Sequence, residues 1–211
     1  MSIGEDIKQA YIDIGAAYTI LRPDGNIEGE YGRFGNFSSG FNQIGNFTSG
    51  FNAHGAKAEL PYDTQAIPGD VLWLPAANDT YLIVHTENEI IENNLILKKA
   101  DLLRTNVVFS HYHLVTAGRK PDMTPDATWS LLGSGLLGCF IRNLSSGKDY
   151  MGGSQAGPVG MYEDALLFAP VYYGVETGHR VNPGAMEYMV KETEMNTYPG
   201  IVICAITEDT R

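Results

Sequence analysis

Basic residues are scarce in this chain: 14 Lys and Arg stand against 25 Asp and Glu, a formal net charge of −11. Tight binding to a phosphate backbone draws its affinity from cations that displace condensed counterions, so the deficit excludes a DNA clamp. It leaves room for a conduit, because acidic walls repel a duplex that has to slide. Long apolar runs are missing as well. The stretch from Leu131 to Ile141 is interrupted by glycines and falls well short of the roughly 20 residues a membrane-spanning helix needs. The opening Met1-Ser2-Ile3-Gly4-Glu5-Asp6 carries acid where a signal peptide carries positive charge, and predicts that the mature chain starts here. Cysteine is limited to Cys139 and Cys204, both among apolar neighbours. They read as buried free thiols in a reducing compartment, with a disulfide possible but unneeded.

What the sequence does have is glycine, 24 residues of it, and 44% hydrophobic types in 211 residues, enough for one large or two small cores. The only helical signal is at the start. Ser2 and Glu5 have the form of a capping box, and Ile3, Ile7, Ala10 or Tyr11, and Ile14 fall on one predicted apolar face. Ala17 to Leu21 is rich in β-favouring types and stops at the turn residues Pro23-Asp24-Gly25-Asn26.

From about 29 to 57 the composition changes abruptly. Gly35, Gly40, Gly45, Gly50 and Gly55 recur every five residues, and Gly35 to Asn42 is nearly copied by Gly45 to Asn52. Glycine at that density does not sustain a helix, so the segment predicts a long extended or looped Gly/Phe-rich arm. Its phenylalanines, Phe34, Phe37, Phe41, Phe47 and Phe51, sit in an uncharged stretch and would be an aggregation hazard if exposed. They could fold back on their own barrel. The reading preferred here makes them subunit contacts, buried by a neighbouring copy.

Beyond the arm a meander unfolds. Ile67-Pro68-Gly69-Asp70 is a tight turn into the strand Val71 to Leu74; Asn78-Asp79 turns again; Tyr81 to His85 is a strand, Glu87 to Glu92 a polar connection, and Asn94 to Ala100 another strand. Asn106 to Leu114 could add one more. Ala117 to Asp126 is the predicted linker, which bounds a first unit at 1–116 and a second at 127–211. The second half repeats the plan, with a strand from Leu136 to Arg142, a glycine-rich stretch from Gly147 to Gly160, and a second meander. Placing Tyr81 on Tyr188 without a gap sets Thr86-Glu87 on Thr193-Glu194 and Ile96 on Ile203; skipping two residues brings Gly69 onto Gly178. The sequence therefore predicts a mainly β protein of two related small barrel-like units in tandem, with a short N-terminal helix.

Candidate chemistry is thin. Gly133-Ser134-Gly135-Leu136-Leu137-Gly138 spells a dinucleotide fingerprint, but that motif works between a strand and a helix, and Cys139-Phe140-Ile141 reads as strand. The glycines there predict a bend, and no cofactor is expected. His111-Tyr112-His113 puts two imidazoles on one strand face, with His85 or Asp101 as conceivable third ligands. No third ligand is local, so the pair predicts polar strand residues and no metal. His54 and His179 stand alone. Cys139 has no base beside it, no Ser occupies a strained Gly-x-Ser-x-Gly turn, and acid pairs such as Glu163 and Asp164 read as solvated loops. No catalytic residue emerges. The sequons at Asn36, Asn46, Asn78 and Asn143 are incidental without a secretory signal.

The run Pro68-Gly69-Asp70-Val71-Leu72, a short turn, and Tyr81-Leu82-Ile83-Val84 with two further strands resembles the head-closure, or stopper, proteins at the head-to-tail junction of tailed bacteriophages. The resemblance covers about Leu60 to Arg104, and Gly178 to Thr207 more weakly. It implies a non-enzymatic virion protein, assembled in the host cytoplasm, that forms a homo-oligomeric ring in the neck between portal or adaptor and tail proteins. DNA would pass through with only non-specific contact. The chain departs from the pattern in its doubled length and in the Gly-Phe repeat, so adaptor, tail-terminator, collar or baseplate positions also fit. A different class of reading is a binding module of a tail fibre or collar that recognises carbohydrate or another virion protein; against it, neither Trp73 nor Trp129 lies in the arm.

Overall fold

The computed structural model describes residues 3–35, 55–119, 125–142 and 165–209. Helix α1 (Ile3–Ile14) leads into β1 (Ala16–Leu21), β2 (Ile27–Gly35), β3 (Gly55–Pro61), β4 (Val71–Leu74), β5 (Asp79–Ile91) and β6 (Asn94–Arg104). The second set comprises β7 (Val107–Arg119), β8 (Pro125–Arg142), β9 (Ala165–Pro170), β10 (Arg180–Val181), β11 (Tyr188–Glu194) and β12 (Ile201–Glu208). Each set closes into an antiparallel six-stranded barrel. The first runs β1-β2-β3-β6-β5-β4 and the second, in the same sense, β7-β8-β9-β12-β11-β10. The two orders are identical once six is added to each label, so the predicted duplication holds at the level of topology.

It also holds at the level of single hydrogen bonds. In the first barrel Gly69 N–H donates to the Ile83 carbonyl and Ile83 N–H to the Asp70 carbonyl, both at 2.9 Å. In the second, Gly178 N–H donates to Val190 and Val190 N–H to His179, both at 2.8 Å. Gly69 and Gly178 share a left-handed backbone, φ +91° and +86°, which an L side chain adopts only with strain. A bulge follows at the same place in each barrel, between Ile83 and His85 and between Val190 and Glu192. The match at Thr86-Glu87 and Thr193-Glu194 is therefore structural. That of Ile96 with Ile203 is not: Glu87 pairs with Lys99 and Glu194 with Ile203, so Ile203 is equivalent to Lys99. The reason is hairpin length. Glu87 to Ile91 continues β5 rather than forming a polar connection, and the reversal comes at Glu92-Asn93, whose φ values of 51° and 67° suit a two-residue hairpin turn.

Each barrel is filled by its own side chains. Tyr18, Ile20, Leu60, Leu72, Ile83 and Leu102 pack the first; Phe109, Leu167, Val181, Tyr188, Val202 and Ile206 pack the second. Burying each such group contributes about 1.5 to 3 kcal/mol, which suits six-strand barrels whose interiors hold side chains and not a channel.

The unit boundary lies earlier than the sequence predicts. The compact units are Met1–Thr105 with Asn196–Ile201, and Asn106–Met195 with Val202–Arg211. Strand β7 belongs to the second barrel, because Phe109 is in that core and β7 pairs with β8 out to Gly118 opposite Asp126 and Arg119 opposite Pro125. The ends of the expected linker, at 117–119 and 125–126, are thus the far end of a β-hairpin, where turn-rich composition is equally at home.

The arm's flanks are strands too. Arg33, Phe34 and Gly35 pair with Glu59, Ala58 and Lys57, so 36–54 joins β2 to β3, as 143–164 joins β8 to β9. Both glycine-rich stretches occupy the same position in the duplicated order. Helix α1 forms as expected but buries Gly4 and Tyr11, leaving Ile3 and Ile14 on the surface at 57% and 87% exposure. Tyr11 wins over the isoleucines because its ring is held over β3, where its hydroxyl reaches Glu59 at 3.4 Å.

Candidate functional site

The turn that enters the fourth strand of each barrel is built twice from different chemistry. In the first barrel the Asp70 N–H donates to the Ile67 carbonyl at 3.1 Å, and the Asp70 carboxylate accepts the Ile67 N–H at 2.9 Å. Arg22, just past β1, closes over that carboxylate: Nε donates to Oδ1 at 2.7 Å and Nη2 to Oδ2 at 2.6 Å, while Nη2 also donates to the Gln65 carbonyl. The Asp70 side chain is only 4% exposed, so this is a desolvated, two-pronged ion pair that pins a turn to a strand.

In the second barrel the same turn is held by imidazole. The His179 N–H donates to the Glu176 carbonyl at 3.1 Å, and His179 Nδ1 accepts the Glu176 N–H at 3.2 Å. Register identifies what faces it. Ile20 pairs with Leu72 in the first barrel and His111 pairs with Val181 in the second, so His111 stands where Ile20 stands. Two residues further, His113 stands where Arg22 stands. An aliphatic side chain and an Arg–Asp pair have become three histidines.

The rings of His111 and His179 lie 5.6 Å apart, tilted by 46°. His111 is 3% exposed, and the Nδ1 atoms of His111 and His113 have no hydrogen-bond partner. Gly133, opposite His111 across β7 and β8, leaves the ring its space: a Cβ there would come within 3.0 Å of Nε2. Burial lowers the pKa of His111 below the ordinary imidazole value, and the neighbouring His179 and His113 lower it further. Burial likewise lowers His179, against an opposing pull from Glu176, with His113 adding to the depression.

Metal binding does not follow. Because Nδ1 of neutral His179 accepts a hydrogen bond, its proton sits on Nε2, and neither nitrogen offers a lone pair to an ion. Among the described residues no group of three or more His, Cys, Asp or Glu is arranged to hold a metal. His85 and Asp101 face each other across β5 and β6 of the first barrel, in a shallow pocket with Lys57, Glu59 and Lys99. They belong to a different compact unit from His111.

The fingerprint glycines Gly133, Gly135 and Gly138 lie inside β8, with Gly135 at φ +70°. The residues that follow, to Arg142, remain strand. Cys139 and Cys204 are buried free thiols, and burial pushes both up to about 12. Phe34, half-buried, packs on its own barrel, edge-on to Tyr18 with ring centroids 5.6 Å apart. Its place in β2 opposite Ala58 decides this. Phe37, Phe41, Phe47 and Phe51 lie outside the described residues, as does His54.

A second surface feature lies on the outer face of the β7 and β8 ladder. Val108, Leu114 and Leu131 are 58%, 51% and 53% exposed, and Leu114 pairs with Trp129. The Arg180 guanidinium covers the Trp129 ring at 4.4 Å and is itself held by Asp209 and Glu187, so its charge is already answered. Sequence reasoning missed His179 by treating it as isolated. The alignment of Gly69 with Gly178 was the available signal, since the next residue along pairs Asp70 with His179.

No known protein family matches this sequence, and no curated protein does. Among solved structures, MrkH of K. pneumonia in its apo state is 10% identical, with a TM-score of 0.18 over 100% of this chain and 85% of that one. The MrkH–c-di-GMP complex is 10% identical, with a TM-score of 0.17 over 100% and 87%. Superpositions that poor carry no argument about this chain.

Proposed function

We propose that this chain is a non-enzymatic structural subunit that closes into a ring of identical copies at the head–tail junction of a tailed phage, around a passage for DNA. The observation that carries the reading is the apolar ridge of Val108, Leu114 and Leu131 on the outer face of β7 and β8. Exposed apolar side chains on a protein with a net charge of −11 suit a protein contact, and an identical copy is the occupant that a ring requires. Both barrels are packed solid, so the passage runs between subunits. A net charge of −11 lines it with repulsion and keeps DNA from sticking. Neighbours above and below would be portal or adaptor and tail proteins. The repeated Gly-led turn and Tyr-led strand, on which the resemblance to head-closure proteins rests, recurs with the same hydrogen bonds in both barrels and supports the same reading.

Native mass spectrometry of the full chain tests it. A closed ring is expected, reduced to monomer by Leu114→Glu with Leu131→Glu while circular dichroism stays unchanged. A wild-type chain that remains monomeric at every concentration accessible overturns the ring. Retention of such a monomer on immobilised glycans would favour the fibre or collar module instead.

A further inference from the structure

We infer that the second barrel carries a proton-operated latch: the turn at 176–179 stays closed while His179 is neutral and opens when His179 and the neighbouring His111 take up protons. This rests on the duplicated turn and not on the phage reading.

The turn and its copy differ in the acceptor that closes them. Both need an acceptor on the fourth residue to satisfy the N–H of the first, at Ile67 and at Glu176. Asp70 supplies a carboxylate oxygen, and Arg22 reinforces it. His179 is an acceptor only when unprotonated. A proton on Nδ1 turns it into a donor aimed at another donor, so the Glu176 N–H loses its partner at the same moment that a charge appears.

The surroundings give that charge little shelter. The titratable groups bearing on His179 are Glu176, from its own turn, which favours protonation, and His113, which opposes it. Those bearing on His111 are His179 and His113. Strand β8 brings Gly133 and Ser130 opposite the histidines of β7, and neither titrates. Strand β11 meets the turn through the Val190 backbone and through Thr193, which bonds Thr177 at 3.4 Å. Arg180, next in the chain, is engaged with Asp209 and Glu187. In the first barrel the equivalent of His111 is the fully buried Ile20, which never charges. The sign follows from the lowered values: the folded turn binds fewer protons than the open one, so closure is complete above the ordinary imidazole pKa of about 6.5 and is lost as pH falls below it. Opening frees the start of β10, a two-residue strand that closes the barrel between β7 and β11.

Amide hydrogen exchange of the full chain, followed as protection factors from about pH 7.5 to about pH 5.5, reads the latch directly. Protection at 176–181 should fall roughly five- to tenfold, the range one depressed imidazole allows, while 67–72 holds steady as an internal control. His179→Asn keeps a neutral acceptor for the Glu176 N–H and should make the second turn as insensitive to pH as the first. Two results overturn the inference: equal behaviour of the two turns in the wild type, or undiminished pH dependence in His179→Asn. If that variant fails to fold, the imidazole titration of His179 in the wild type decides by nuclear magnetic resonance. A midpoint at or above about 6.5 sinks the latch; one well below it, moving together with the Glu176 amide resonance, supports it.

Discussion

Removing the Asp70 carboxylate should be among the most damaging single changes in the first barrel. Asp70→Ala takes away three acceptor contacts at once: two to Arg22 and one to the Ile67 N–H. What remains is a guanidinium that has lost its carboxylate but keeps the Gln65 carbonyl, and an Ile67 N–H that has lost its side-chain acceptor. Breaking a buried ion pair by deleting one member costs about 3 to 5 kcal/mol, most of it the stranded charge. The Arg22 side chain is 20% exposed and keeps Gln65, so the lower end, about 3 kcal/mol, is the expectation. For a unit of this size that lowers the melting midpoint by roughly 12–24 °C. Asp70→Asn retains an acceptor for Ile67 and loses mainly charge assistance, about 1 to 2 kcal/mol. Calorimetry at neutral pH should show the first barrel's transition moving while the second's stays in place. A double-mutant cycle with Arg22→Met isolates the pair, and coupling of at least about 1 kcal/mol is expected. A loss under about 1 kcal/mol for Asp70→Ala, or coupling indistinguishable from zero, would refute the claim that this pair pins the turn.

Two further outcomes follow from the fold. Gly178→Ala should cost about 1 kcal/mol in urea denaturation, a purely conformational penalty, since φ is +86° and nothing lies within 4 Å of the added Cβ; Gly178→Asn should recover part of it, and no loss at all would mean that the turn relaxes. With Cys139 and Cys204 pushed up to about 12, the thiolate fraction at pH 8 is about one in ten thousand. A disulfide reagent should titrate neither thiol in the native chain and both in urea, and prompt native labelling would contradict the burial of these strands.

The elements were legible where local chemistry decides them. Pro68-Gly69 and Asn78-Asp79 mark turns because few residues tolerate those backbones, and the strands between them announce themselves by β-favouring composition. Partners across a sheet were not legible. Nothing local says that β4 closes on β1, or that β7 crosses into the second barrel, because pairing is chosen by the whole core. The apolar face of α1 was legible only in part for a related reason: Tyr11 of the expected face is buried, with Gly4 beside it, while Ile3 and Ile14 are exposed, because the barrel surface selects the face. The duplication could be seen in the order of elements, but sequence spacing slipped by three residues at the longer β5 and β6 hairpin, where insertion costs little. Of the histidine cluster, two members were noted and the third was dismissed for lack of neighbours in the chain.

The value of a duplicated fold is that each barrel serves as the other's control. Topology, bulge, left-handed glycine and four turn and strand hydrogen bonds are the same in both, so differences between equivalent positions are not forced by the backbone. Some such differences are conservative, as at Leu72 and Val181 or Ile83 and Val190, and others change the chemistry, as at Lys99 and Ile203. Three departures in chemical type meet at one corner, where Ile20, Arg22 and Asp70 give way to His111, His113 and His179. Stability alone does not favour that exchange: a buried imidazole with an unpartnered Nδ1 pays a desolvation cost that isoleucine does not, and a neutral cap is weaker than a charge-assisted one. The change does add sensitivity to protons at the second barrel's turn. One turn is thereby fixed and its copy conditional.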